Sequence, residues 1–180
     1  MLSFLIILIF AYNLYVGARR GIFLEGAYTI GFLLTLIFAR IFYRTLGSKL
    51  TLLIPYPSAS LDSHFAFFST EVGLGLDTAF YRGCAFLMIL VLGWLVTHFI
   101  MIFLNNLAYY PLDQHVSLAG GLFLAFVNTY VALFFLLYLT ALIPVPGIQN
   151  MLSHSWIATL IVRYTPFLTH WATQLWIVAA

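Results

Sequence analysis

The stretch from Leu2 to Tyr43 decides the fold. It holds an apolar run, LSFLIILIFAYNLYV (Leu2–Val16), a short charged turn, Gly17-Ala18-Arg19-Arg20-Gly21, and a second apolar run, Ile22 to Tyr43. As a helix the first run covers roughly 22 Å, short of a hydrocarbon core of about 30 Å. It could be read as a signal peptide with Val16-Gly17-Ala18 as a small-residue cleavage site. No Lys or Arg precedes it, however, and Arg19-Arg20 follows the supposed cut, so an uncleaved first helix is the favoured reading. The second run is long enough to span. Glu25 near its start and Arg40 near its end suit a helix macrodipole.

Composition agrees with a membrane reading. The 180 residues are 64% hydrophobic and only 7% charged, against about 45–50% and about 25% in soluble domains. Mean hydropathy is +1.07. So few charges cannot cover a globule in water, which argues against a soluble enzyme or a disordered chain. The net charge of +2 is too small to recruit nucleic acid. Cys84 is the only cysteine, so no intrachain disulfide and no multi-thiolate metal site can form.

Beyond Tyr43, residues 44–80 form the most polar stretch and read as an interfacial loop, with a short amphipathic helix around Ser48–Ile54. A third apolar run covers 83–107 and a fourth 117–143, closed by Pro144-Val145-Pro146-Gly147. The pattern predicts an all-α, polytopic integral membrane protein. Four transmembrane helices at about 2–16, 22–43, 83–107 and 117–143 make one domain over 1–146. Residues 147–180 are expected as an amphipathic membrane-surface segment. There Trp156, Leu160, Tyr164, Phe167, Trp171 and Leu175 recur every three or four residues, and Pro166 divides the segment into two short helices. A fifth span is the alternative. Four spans put both termini on one side. Counting Arg40, Arg44, Lys49, Arg82 and Arg163 against Arg19 and Arg20, the positive-inside rule puts the termini in the cytoplasm. The dense Arg19-Arg20 pair pulls the other way.

Small residues spaced by four offer helix contacts: Ala27, Gly31 and Thr35 on the second run, and Ser117, Gly121 and Ala125 on the fourth, with Gly120 alongside. These faces could mate within one chain or between protomers. Polar residues inside spans are the functional candidates of a membrane protein. Here they are Asn13, Glu25, His98, Asn105, Asn106 and Asn128. Glu25 reads either as a proton or cation site, or partner of Arg19 or Arg20, or as a plain first-turn carboxylate near the headgroups. His98 reads as a proton relay or an interhelical hydrogen-bonding group, and Asn128 as the latter. The five histidines lack the spacing of a helical zinc site. No GxSxG, no intramembrane aspartate pair and no GxxxxGK[ST] occurs. A non-enzymatic protein without metal or cofactor is therefore expected, with the lipid bilayer, other membrane proteins or further copies of itself as partners.

Gly17-Ala18-Arg19-Arg20-Gly21-Ile22, followed by Glu25, resembles the GxxRGF signature of the colicin V production protein (CvpA) family. The connector with Asp113 and the run Gly121-Leu122-Phe123-Leu124-Ala125 resemble the opening of that family's last span. Ile54-Pro55-Tyr56-Pro57-Ser58 after Lys49-Leu50-Thr51 resembles a Firmicute branch of it. The family often has an Asp where this chain has Ser3, a glycine at Ala125 and a charge at Asn128. The resemblance implies a bacterial inner-membrane, multi-pass protein with four spans, in a family associated with toxin or bacteriocin production or export. It implies no cofactor or catalytic residue. A general envelope role, or a small oligomeric channel or transporter, are the functional expectations.

Overall fold

The computed structural model of the chain describes residues 1–51, 55–56, 65–68, 76–104 and 113–178. These residues are helical wherever they are regular, and no strand occurs among them. Helix α1 runs Leu2–Leu50, α2 Asp77–Phe103 and α3 Gln114–Ala141. Three short helices follow: α4 Pro146–Ser153, α5 Trp156–Arg163 and α6 Pro166–Thr173, the last continuing as a π-helical turn, Gln174–Val178. The starts of these helices are legible chemically. The Asp113 carboxylate accepts the His115 and Val116 N–H groups at the head of α3. The Ser155 hydroxyl caps α5, and Pro146 and Pro166 sit in the first turns of α4 and α6.

Helix α1 is the unusual element. A straight helix of its 49 residues would be about 74 Å long, more than twice the hydrocarbon thickness of about 30 Å. It does not stay straight. Gly21 interrupts it with φ 71 and ψ 176, a region open essentially to glycine alone. Residues on either side of Gly21, eleven before it and eight after it, then meet the same stretch of α3. Phe10 packs on Phe126 at 5.4 Å, while Asn128 bonds to Thr29 at 2.9 Å. In a straight helix Phe10 and Thr29 would lie about 28 Å apart. The helix therefore doubles back at Gly21, and the spans expected at 2–16 and 22–43 are its two limbs. Three helices, α1, α2 and α3, are long and apolar enough to cross a membrane. The all-α membrane fold is as expected. The number of separate long helices changes from four to three, because the expected turn 17–21 is helical up to one glycine, while the two limbs of α1 still run antiparallel.

The stripes of small residues mate within the chain. A Cβ on Gly17 would lie 2.7 Å from the Gly121 carbonyl oxygen and would also strike Ala125, so the first limb and α3 touch backbone to backbone. On the second limb, Gly31 sits under Thr97 of α2, where a Cβ would come within 2.5 Å, and Thr35 reciprocally covers Gly93. Lower down, Gly47 faces the Arg82 backbone, so the second limb and α2 run antiparallel. The opposite faces stay apolar and outward: Leu5, Leu8, Leu33, Ile37, Leu95, Phe99 and Phe123 are all exposed. Such surface faces lipid rather than water.

Residues 147–178 share the core of the bundle. Leu152, Ala158, Ile161, Val162, Leu168, Ala172 and Trp176 are buried within it. The Thr165 hydroxyl bonds Tyr130, and the Thr173 hydroxyl bonds Tyr138 at 2.7 Å. The stretch 165–173 thus runs parallel to 130–138 of α3. Ser155 meets Ser3 at 2.9 Å. Helices α5 and α6 therefore form a hairpin whose tip reaches the level of Tyr130, about 16 Å along α3 from Ala141. Trp156, Leu160, Tyr164 and Phe167, four of the six residues of the stripe that defined the expected amphipathic face, point away from the protein. The packed face is the other one, so the hairpin is apolar on both sides. Its hydroxyls bond inward to carbonyls, Thr159 to Ser155, Thr165 to Ile161 and Thr169 to Val162, as backbone and side chains must where water is scarce.

Of the expected loop, residues 44–50 belong to α1 and 77–80 to α2. Thr51 caps α1, and residues 52–54 of the expected Ser48–Ile54 helix lie outside the described residues, as do Asn105, Asn106 and the end of the 83–107 span. Gln149 ties the bundle end together, donating to the Ala141 and Ile143 carbonyls and accepting from the Ala66 N–H.

Gly21→Ala is expected to destabilise the protein by on the order of 1–3 kcal/mol, because the side chain enters a glycine-only conformation. Gly147→Ala, which meets nothing within 4 Å, is expected to leave stability unreduced. Thermal unfolding of the detergent-solubilised variants compares the two.

Candidate functional site

The polar residues of the spans gather beside the α1 bend. Glu25 stands in the first turn of the second limb, where a carboxylate faces the positive end of the helix dipole. It is 5% exposed. Arg20, the last residue before Gly21, donates from its guanidinium to Glu25 Oε2 at 3.2 Å. The guanidinium also lies over the Tyr28 ring, 3.8 Å from its centroid, a stacking that suits its flat, weakly hydrated face. From α3, Asn128 donates to Thr29 Oγ1 at 2.9 Å and reaches Glu25 Oε1 at 3.5 Å. A buried carboxylate is tolerable only with such partners. The array therefore locks the second limb to the bend and to α3.

The bend itself is sealed by Ser117. Its hydroxyl accepts the Ile22 N–H at 3.4 Å, which replaces a bond lost where Gly21 leaves the helix. Gly120 lies against the Ile22 side chain, and Gly121 and Ala125 against Gly17. Gly31 packs on α2, Ala27 is half-buried, and Arg19 is exposed. Of the two arginines in the turn, Arg20 is thus the partner of Glu25.

Asn13 and His98 face the same space from opposite walls. The Asn13 amide donates to the Ile9 carbonyl at 2.9 Å. His98 Nδ1–H donates to the Trp94 carbonyl at 2.9 Å, and its ring is flanked by Trp94 at 4.2 Å and Tyr28 at 4.8 Å. Between the two limbs, α2 and α3 lies a pocket of about 410 Å³, within the range of ligand-sized cavities. Asn13, Arg20, Glu25, His98 and Asn128 all line it. Sequence reading found these five but gave no way to bring them together, because that depends on the limbs folding back on each other. It missed Tyr28, Thr29, Gly93 and Thr97. Tyr28 and Thr29 carried a signal, being three and four residues beyond Glu25 and hence on its face. Gly93 and Thr97 carried one too, a small pair at the spacing already noted on the facing limb.

Among the described residues no three His, Cys, Asp or Glu side chains converge as metal ligands. The ionisable groups of the pocket suit binding, proton occupancy or locking of helices.

Fold and pocket together define a polytopic helical membrane protein whose intramembrane polar groups converge at one bent helix. The family described as "Colicin V production protein" matches residues 2–166, and the chain belongs to that family. It is 28% identical over 176 residues to "Uncharacterized transmembrane protein YshB" of Bacillus subtilis (strain 168), covering 98% of this chain and 97% of that one. No solved structure matches it.

Arg20→Gln leaves the buried carboxylate with a single weak amide donor, whereas Glu25→Gln leaves a neutral amide. Arg20→Gln is expected to cost about 3 kcal/mol, by analogy with broken buried pairs, and Glu25→Gln clearly less. The double variant should recover part of the loss. A double-mutant cycle on detergent unfolding measures the coupling, and additive losses would mean that the pair contributes nothing.

Proposed function

We propose that this chain is a non-enzymatic, multi-pass protein of the bacterial plasma membrane that supports toxin or bacteriocin production or export and, with it, envelope homeostasis. One observation carries the reading on the structural side: the one carboxylate of the pocket, Glu25, is tied up in holding helices by Arg20 and Asn128, and among the described lining residues no nucleophile and base bond each other. The family's description supplies the physiological direction. Termini in the cytoplasm remain the favoured orientation. Arg40, Arg44, Lys49 and Arg82 cluster towards one end of the bundle, against Arg19 and Arg20 at the bend, while Arg163, at the tip of the α5–α6 hairpin, drops out of the count.

A deletion strain should lose secretion of its toxin or tolerance to envelope stress, and wild-type protein should restore it. Arg20→Gln should restore it less well than wild type at equal membrane abundance. A deletion indistinguishable from its parent under secretion and envelope-stress assays would sink the proposal.

A second reading, a small channel or transporter built from several copies, is favoured by the pocket itself, since Glu25 is the one acid within an apolar run. It predicts solute or proton flux in proteoliposomes that Glu25→Gln abolishes while the protein stays folded. Flux unchanged by that substitution removes Glu25 from any transport pathway.

A further inference from the structure

The pocket beside the bend is polar at one end and apolar at the other, and the order follows the helices. Arg20 and Glu25 stand next to Gly21. Ile9, Phe32, Leu133 and Leu136 line the part farthest from the bend. Along α3 the lining extends from Ala125 to Leu136, about 16 Å of helix, which accommodates an extended chain of roughly a dozen carbons. A water-soluble solute would leave that half of the pocket unmatched. An amphiphile matches both halves.

The polar end selects the sign of the headgroup. Both Glu25 oxygens are already engaged, Oε2 by Arg20 and Oε1 by Asn128, and the carboxylate is buried. The Tyr28 face, which could hold a cation, is covered by the Arg20 guanidinium. A cationic headgroup therefore finds its two best partners occupied. Arg20 is different. Its side chain keeps 26% of its surface exposed, and only one of its N–H groups is used by Glu25. A guanidinium has five donors in a fork that fits an oxyanion.

We propose that this pocket binds a lipid-like amphiphile with a single oxyanion headgroup, the headgroup on Arg20 beside the bend and the chain laid towards Leu136. The site goes beyond the envelope role and does not depend on it, since binding can be measured on the isolated protein.

The test uses full-length protein in uncharged maltoside micelles, titrated with dodecyl phosphate. Trp94 lines the pocket and is 55% exposed, so occupancy should change tryptophan fluorescence saturably, and Trp94→Phe should remove that change. The same chain on an uncharged ether headgroup should bind at least tenfold more weakly. Inorganic phosphate alone should neither change the signal nor compete at equal concentration. Arg20→Gln should weaken dodecyl phosphate at least tenfold, and Ala132→Trp, which fills the apolar half, should block it. Equal binding of charged and uncharged chains would overturn the proposal. So would competition by inorganic phosphate as strong as by dodecyl phosphate, which would mean a free-anion site. If Arg20→Gln fails to fold, the headgroup comparison on the wild-type protein still decides the matter, with circular dichroism controlling for Ala132→Trp.

Discussion

The rest of the architecture depends on the contact of two backbones at the bend of α1. Gly17 and Gly121 approach too closely for any side chain between them, and Gly21 adopts a conformation closed to other residues. In lipid there is no hydrophobic drive to bring helices together, so association rests on van der Waals contact and on hydrogen bonds. The bend supplies both. It aligns the first limb with α3, allows Ser117 to bond the Ile22 amide, and sets Glu25 within reach of Arg20 and Asn128. Take the bend away and the limbs no longer share a level on α3, and the pocket has no walls.

This explains which parts of the structure were legible in the sequence. Membrane class, helix content and the helix start at Pro166 follow from local chemistry and are where reading placed them, whereas Asp113 read as part of a connector and Pro146 as part of a helix stop, and each opens a helix. The small-residue stripes were visible as spacing, but not their partners. Gly31 meets Thr97 and Gly17 meets Gly121 because of tertiary register, which spacing on a single helix does not encode. The turn 17–21 was visible as polar and glycine-bounded, yet it reads as a loop because two arginines and two glycines argue against helix. The helix continues through Arg20 because its side chain finds Glu25 and Tyr28, and only Gly21 departs from helical geometry.

The tail shows a different limit. Its recurring aromatics were read as the face that lies on the membrane, although in a soluble protein large apolar residues ordinarily pack inward. In a bilayer that rule loses its direction, since lipid accepts Phe167 and Tyr164 as readily as a protein core does. The face in contact with the bundle is instead the one with smaller residues, Ala158, Val162 and Ala172, which lets the helices come close, with Trp176 closing the end. The Trp176 indole Nε1 has no acceptor among the described residues. The ring is wedged among Phe86, Phe135 and Tyr138, whose contacts offset the lost hydrogen bond.

The α5–α6 hairpin has a consequence for the order in which the protein is assembled. Helices of eight residues cannot cross a bilayer, and an insertion machinery that recognises long apolar segments has no reason to integrate them. Arg163, exposed near the hairpin tip, adds a further charge against spontaneous entry. The hairpin can settle only on a bundle that already offers Tyr130 and Tyr138 as hydrogen-bonding rungs and the Phe86–Phe135 surface as a seat. On this geometry seating is expected to follow insertion, with the hairpin closing over α3 once the long helices are in place.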